Sequence, residues 1–304
     1  MKRISRENLC YRFDKDLEPV VEIDPGEKLI VETQDAHNGT VPEGGLGEDV
    51  FFPELTEENG NPVTGPIFIR QAKPGNSLSV FIEDIKLDKQ GFVPIRPNWG
   101  VFTGKVKKPR ARIIVIRNGF FFFDYKTCLP VRPMVGTIGV APSERGIAAM
   151  YPGPHGGNMD NNYVCKGATV FLPIGVEGAL LALGDIHGSM GDGEITSGGI
   201  DISAEVTVRI DILETQLLPR PYIETRESII TCSNASSFEK ARELAIKDMM
   251  VILIKKMSLA DTEALMLISA RGDLGICQAG NCPIDITMRL VFPKLWEEKT
   301  HKFE

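Results

Sequence analysis

A mainly β protein, with a sandwich- or barrel-like body and an α+β portion toward its C-terminal end, is predicted by three features of the sequence. Short segments of strand length, some alternating apolar with polar residues at a period of two and others apolar throughout, recur between turns before residue 236. The 304 residues include 30 glycines and 20 prolines, above the combined average of about 36 for this length, so turns are frequent. Helical spacing sets in only after residue 236. Strands followed by helices read as a β body with an α+β tail.

The elements follow from local chemistry. Leu29-Ile30-Val31 follows the turn Pro25-Gly26, and Pro66–Arg70 follows Thr64-Gly65. Leu78, Val80 and Ile82 alternate with Ser79, Phe81 and Glu83 after Pro74-Gly75-Asn76. Residues 36–63, rich in Gly, Pro, Glu and Asn, read as a long functional or mobile loop. Arg112–Arg117 and Gly119–Phe123 flank Asn118-Gly119, a two-residue hairpin signal. Ala168–Pro173 and Ala179–His187 are apolar runs of strand length joined by Gly175–Gly178. Val206, Val208, Ile210 and Ile212 against Thr207, Arg209 and Asp211 mark a half-buried strand. Ser236 with Glu239 reads as a capping box opening a helix through Phe238, Ala241, Leu244, Ala245 and Ile252. A second helix over Ala260–Ala270 stops at Gly272, and Ile284–Phe292 is a closing strand. The apolar run Met249–Ile254 suggests a first helix that is buried nearly all round. Two regions are expected, a β-rich 1–150 and a site-bearing 151–304 that continues into the α+β part, packed as one unit.

Thirty-four Lys/Arg against 41 Asp/Glu leave a net charge of −7, and no basic cluster suits nucleic acid. No apolar run approaches the ~20 residues that span a bilayer. The charged start of the sequence is not a secretory signal, so a cytoplasmic location with reduced thiols is expected. Cys277 and Cys282 form a C-x4-C pair without a second half, which favours ordinary thiols over a zinc site. Cys165 precedes an apolar strand and reads as an inert thiol rather than a nucleophile. No G-x-S-x-G, P-loop or H-E-x-x-H motif is present.

The four histidines are His37, His155, His187 and His301. Asp185 and His187 emerge two apart at the end of the Leu180–Leu183 buried-strand run, hence on one face. The turn Gly188–Gly191 then presents Asp192 and Glu194, again at i, i+2. Three carboxylates and an imidazole so close repel one another when buried without a cation, which points to Zn²⁺, or to Ca²⁺ if oxygen ligands dominate. His155-Gly156-Gly157-Asn158-Met159-Asp160 offers further polar groups, and Asp35 and His37 repeat the i, i+2 spacing after the Leu29–Val31 strand. These clusters are expected to share one cleft.

His155–Asp160, Gly184-Asp185-Ile186-His187, Gly191-Asp192-Gly193-Glu194, Asn61–Pro66 and Leu267–Asp273 resemble, in order, the motifs of the acetamidase/formamidase family. The resemblance implies hydrolysis of short aliphatic carboxamides to carboxylate and ammonia, and a homo-oligomer. Within it, Asp35, His187, Asp185 and Asp160 are the candidate metal ligands for a divalent ion, Zn²⁺ or Ca²⁺. Glu194 is the candidate proton shuttle, with His155, Asn158 and Asp192 as further catalytic candidates. Gly156, Gly157 and Met190, the last standing where many members carry Gln, are candidates for substrate contact. Alternatives are a non-catalytic β-sandwich binding module stabilised by Ca²⁺ and a cupin-like oxidoreductase, the latter disfavoured by the absence of H-x-H.

Overall fold

In the computed structural model, which describes residues 1–101, 103–279 and 285–295, two large sheets face each other. The larger has nine strands in the order Lys2–Ile4, Lys28–Thr33, Ala204–Leu213, Ser77–Leu87, Thr169–Pro173, Tyr222–Glu224, Ser228–Ala235, Ile286–Pro293 and Asp273–Gln278. The second runs Pro152–Gly153, Gly156–Asn158, Met134–Gly139, Leu181–His187, Val63–Ile69 and Leu9–Cys10, with Val21–Ile23 also on Val63–Ile69. Both sheets draw strands from before and after residue 150.

The alternating residues of the larger sheet, Leu78, Val80, Ile82, Val206, Val208 and Ile210, are fully buried. They share one core with Val135, Ile138, Leu181, Leu183 and Ile186 of the second sheet. Burial of one face of each sheet is the main driving force, at roughly 25 cal/mol per Å² of apolar surface. The body is therefore mainly β and sandwich-like, as its alternation predicts. The adjacent runs Thr169–Pro173 and Leu181–His187 do not pair as a hairpin, because each joins a different sheet. A smaller sheet includes Arg110–Arg117 and Phe120–Phe122, joined at Asn118-Gly119, where both residues hold positive φ as the hairpin signal requires.

The helices form the expected α+β end with two differences. The first, Phe238–Met257, is capped by Ser237 rather than Ser236, whose successor's hydroxyl accepts from Lys240 N. Its buried side chains, Ala241, Ala245, Asp248, Met249, Ile252 and Leu253, form one face instead of a full circumference, and Val251 is exposed. The second, Asp261–Arg271, ends at Gly272, with Glu263 bonding back to Ala260 N. Both pack a second core with Ile229, Leu290 and Phe292 of the larger sheet. No described helix is long and apolar enough to cross a membrane. Cys282, His301 and the start of the expected closing strand at Ile284 lie outside the described residues.

Candidate active site

The strand Leu181–His187 is buried along its whole length and delivers Asp185 and His187 into the interior. Asp185 has φ 54°, a left-handed kink that an aspartate tolerates better than most residues. His187 Nε2 lies 3.4 Å from Asp185 Oδ1 and 3.3 Å from Asp201 Oδ1, while its Nδ1 is 3.8 Å from Asp160 Oδ1. Asp160, Asp185 and His187 each offer a ligand atom within 4.8 Å of the others.

Gly136, on the neighbouring strand, makes this approach possible. A Cβ there would stand 2.8 Å from carboxylate oxygens of both Asp160 and Asp185. Thr137, next in that strand, accepts from Asn61 Nδ2 at 3.1 Å. Its hydroxyl lies within bonding distance of Asn158 Oδ1 (2.9 Å) and Asp185 Oδ2 (3.2 Å).

Asp185 and His187 of the cluster, with Asp201, line a small cavity open to solvent, with about 390 Å³ of atom-free space counting its mouth; Asp160 is not part of that lining. Glu194, Asn158 and Arg96 add polar groups to the lining; Leu55, Trp99 and Met150 add apolar surface. Arg96 lies over the Trp99 ring at 4.7 Å and donates from Nη2 to Ser197 O at 2.6 Å. Asn61, Asp160, Asp185, Glu194 and Ser197 all hold left-handed backbone, five of the twelve non-glycine residues that do so among the described residues. Such strain concentrates where a fold over-determines a functional site.

The electrostatics are those of a site short of positive charge. Burial, reinforced by Glu194 and Asp185, pushes Asp160 well above the usual carboxylate range. Burial pushes Glu194 up to about 7, with Asp185 and Asp201 adding to the shift and His187 and Arg96 opposing it. Asp201 is raised by burial against the pull of His187. His187 is lowered by burial, but Asp185, Asp201 and Asp160 more than reverse that and hold it well above the usual imidazole range. Both Asp160 oxygens, Asp201 Oδ1 and His187 Nδ1 are buried without a hydrogen-bond partner. Buried charges are normally paired or bound to metal, so these orphaned carboxylate and imidazole atoms fit a divalent cation.

The other sequence candidates are distributed differently. Asn158 lines the cavity, its Nδ2 donating to Met150 O at 3.2 Å. Asp35 is buried nearby but its carboxylate accepts from the backbone of His37 (2.9 Å) and Gly39 (3.2 Å), closing a turn. Burial nonetheless raises it to about 6. His155 is not brought to the cavity. Its ring packs edge-on against Phe13 at 5.0 Å and lies over Gly153 and Gly157, where a Cβ would come within 3 Å of it. Gly156 and Gly157 pair with Gly139 and Ile138 within the sheet and are likewise absent from the cavity wall. Asp192 and Met190 face a separate outer groove. There Asp192, 52% exposed, accepts from Asn162 Nδ2 at 2.9 Å and pairs with Arg289. The i, i+2 expectation for Asp192 and Glu194 fails because Gly193 (φ 93°) and Glu194 (φ 42°) are left-handed, and alternation holds only for extended backbone.

Sequence reasoning missed Asp201, Arg96 and Gly136. Asp201 sits on a single-residue bridge to both His187 and Phe92, too short for a periodic signal. Its one clue is an acid between Ile200 and Ile202 just after Gly198-Gly199. Cys165 lines the outer groove and burial pushes its thiol up, in keeping with an unreactive cysteine.

With cavity and cluster defined, comparison with known proteins identifies the class. The model of the acetamidase/formamidase family matches residues 2–150 and 143–240, and the chain belongs to that family. An acetamidase structure from Bacillus halodurans is 34% identical with a TM-score of 0.88, over 96% of this chain and 97% of that one. A structure from Thermoanaerobacter tengcongensis, described as a predicted acetamidase/formamidase, is also 34% identical, with a TM-score of 0.90 over 96% and 95%. A putative formamidase of Schizosaccharomyces pombe is 27% identical over 266 residues, 68% of this chain and 64% of that protein. The chain thus spans just under two thirds of the length of that curated relative.

Proposed function

We propose that this protein hydrolyses short aliphatic carboxamides to carboxylate and ammonia. The observation that carries the reading is the placement of Glu194 in the same cavity as Asp185 and His187, two members of the buried Asp160–Asp185–His187 cluster. Family membership and the similarity to proteins named acetamidase support the reaction class.

Asp160, Asp185 and His187 would hold a divalent cation, with Asp201 beside them. One imidazole nitrogen among few carboxylates suits Zn²⁺ better than Ca²⁺, which takes six to eight oxygens. When bound, such an ion polarises a carbonyl oxygen and acidifies water.

The chain's own groups supply the rest. Glu194 takes a proton from water as the water oxygen attacks the carboxamide carbon. The amide groups of Asn158 and Asn61 and the Arg96 guanidinium border the cavity as donors for the developing oxyanion. Glu194 then hands its proton to the amide nitrogen, the C–N bond breaks, and ammonia leaves. Leu55, Trp99 and Met150 offer the apolar surface for a short acyl chain.

The test is ammonia release from formamide, acetamide, propionamide and butyramide, before and after chelation. Turnover of the shortest amides, lost with chelator and restored by Zn²⁺, is expected. No ammonia from any of them with metal-loaded protein contradicts the reading and favours the non-catalytic binding module.

A further inference from the structure

Arg289 does not line the cavity, yet its side chain is only 9% exposed and reaches out of the C-terminal strand Ile286–Pro293 toward the turn that carries Glu194. Its Nη2 donates to Asp192 and its Nη1 to Ile276 O at 3.2 Å, with Cys277 Sγ 3.8 Å away. The guanidinium lies over the Tyr163 ring at 5.4 Å. Opposite it stands Gly275, where a Cβ would be 2.9 Å from the guanidinium carbon, so the glycine opens the slot in which the arginine lies.

The backbone repeats the connection. Gly193 N donates to Cys277 O and Ala279 N donates to Gly193 O, each at 3.0 Å. Two neighbours of Arg289 grip the other site strand. Gln278 Nε2 donates to Asn158 O at 3.0 Å, and Thr287 Oγ1 donates to Met159 O at 3.2 Å. The C-terminal strand pair therefore holds both glycine-rich segments that feed the cavity.

We infer that Arg289 is a positioning residue for hydrolysis, clasping Asp192 and so fixing the left-handed turn that presents Glu194 to the cavity. The inference rests on the reading of Glu194 as the proton shuttle. A buried arginine contributes little to stability that a well-packed apolar residue could not match. Its use here is geometric, since a planar fork spanning Asp192 and Ile276 O sets where the turn stands. Asp192, two residues from Glu194, thereby acts through the backbone and not on the substrate.

The experiment compares metal-loaded wild type with Arg289→Met, Asp192→Asn and the double variant. It measures hydrogen exchange of residues 188–197 together with kcat and KM for acetamide. Arg289→Met is expected to speed exchange in that segment and to lower kcat about tenfold or more, since small misplacements of a reacting group are costly. KM should stay within about twofold, because the cavity lining is untouched. Asp192→Asn keeps an acceptor for Arg289 and is expected to lose less. The double variant should be no worse than Arg289→Met, because the two residues act as one unit. Unchanged exchange in folded Arg289→Met overturns the clasp, and faster exchange with unchanged kcat overturns its positioning role. If the wild type releases no ammonia at all, the hydrolytic reading fails and the positioning role falls with it. Exchange in the variants still decides, separately, whether the clasp exists.

Discussion

His187 and His155 are both deeply buried, and both come from glycine-rich segments of similar sequence character, yet they end in opposite electrical surroundings. Burial lowers each imidazole. For His155, packed on Phe13 with neither nitrogen partnered, nothing opposes it and the ring falls to about 4. For His187, the carboxylates of Asp185, Asp201 and Asp160 reverse the effect. Proximity of charge, and not burial, separates a candidate ligand from an aromatic filler. The contrast also explains why one segment yields a site and the other only part of one. From His155–Asp160, the structure sets Asn158 in the cavity lining and Asp160 beside His187, and leaves His155 packed on Phe13 outside that lining.

The largest expected effect separates the two histidines outright. His187→Ala should reduce ammonia release to background, whereas His155→Ala should leave kcat within about threefold in the folded fraction, because it lines no part of the cavity. Loss of turnover in a folded His155→Ala protein would erase the distinction.

Next in size, Glu194→Gln should lower kcat by roughly 10²–10⁴ while retaining metal, the range typical of a lost general acid–base. Turnover at the wild-type rate would remove Glu194 as the shuttle. Gly136→Ala is a subtler probe of the same cluster. Its Cβ would intrude between Asp160 and Asp185, and metal affinity should fall about 10- to 100-fold, as when groups that orient ligands are disturbed. Isothermal titration with Zn²⁺ reads this directly.

The smallest effects concern stability against pH. His155 is held at about 4 when folded, against about 6.5 when unfolded. Between those values the unfolded chain binds the proton, so stability is complete above about 6.5 and falls as the pH drops toward 4. Metal-free Glu194 behaves oppositely. Its folded value of about 7 exceeds the unfolded ~4.3, so stability is lost as the pH rises from about 4 to 7. Melting curves of His155→Phe should show a shallower acid-side decline, with the part due to His37, also held low by burial, remaining. Those of metal-free Glu194→Gln should show a shallower decline toward neutrality, with the parts due to Asp35, Asp160 and Asp201 remaining. Unaltered slopes would contradict the environments assigned to both.

Much of this was legible in the sequence where a residue sits on a regular element. The half-buried strand at 204–213 announces itself by alternation, and His187 by its place at the end of an apolar run. The site's remaining members escape because they depend on irregular backbone or on pairing distant in sequence. Asp201 meets His187 through one isolated bridge, and Gly136 matters only because Asp160 and Asp185 converge on it from separate segments. Asp192 misleads for the same reason. Left-handed Gly193 and Glu194 break the alternation on which a face assignment depends.

The most direct test is the metal content per chain of His187→Ala and His155→Ala after dialysis against excess Zn²⁺ and desalting, read by elemental analysis. About one tightly held ion in the His155 variant and none in the His187 variant is the predicted result. Full occupancy without His187, or loss of the ion without His155, would contradict the account.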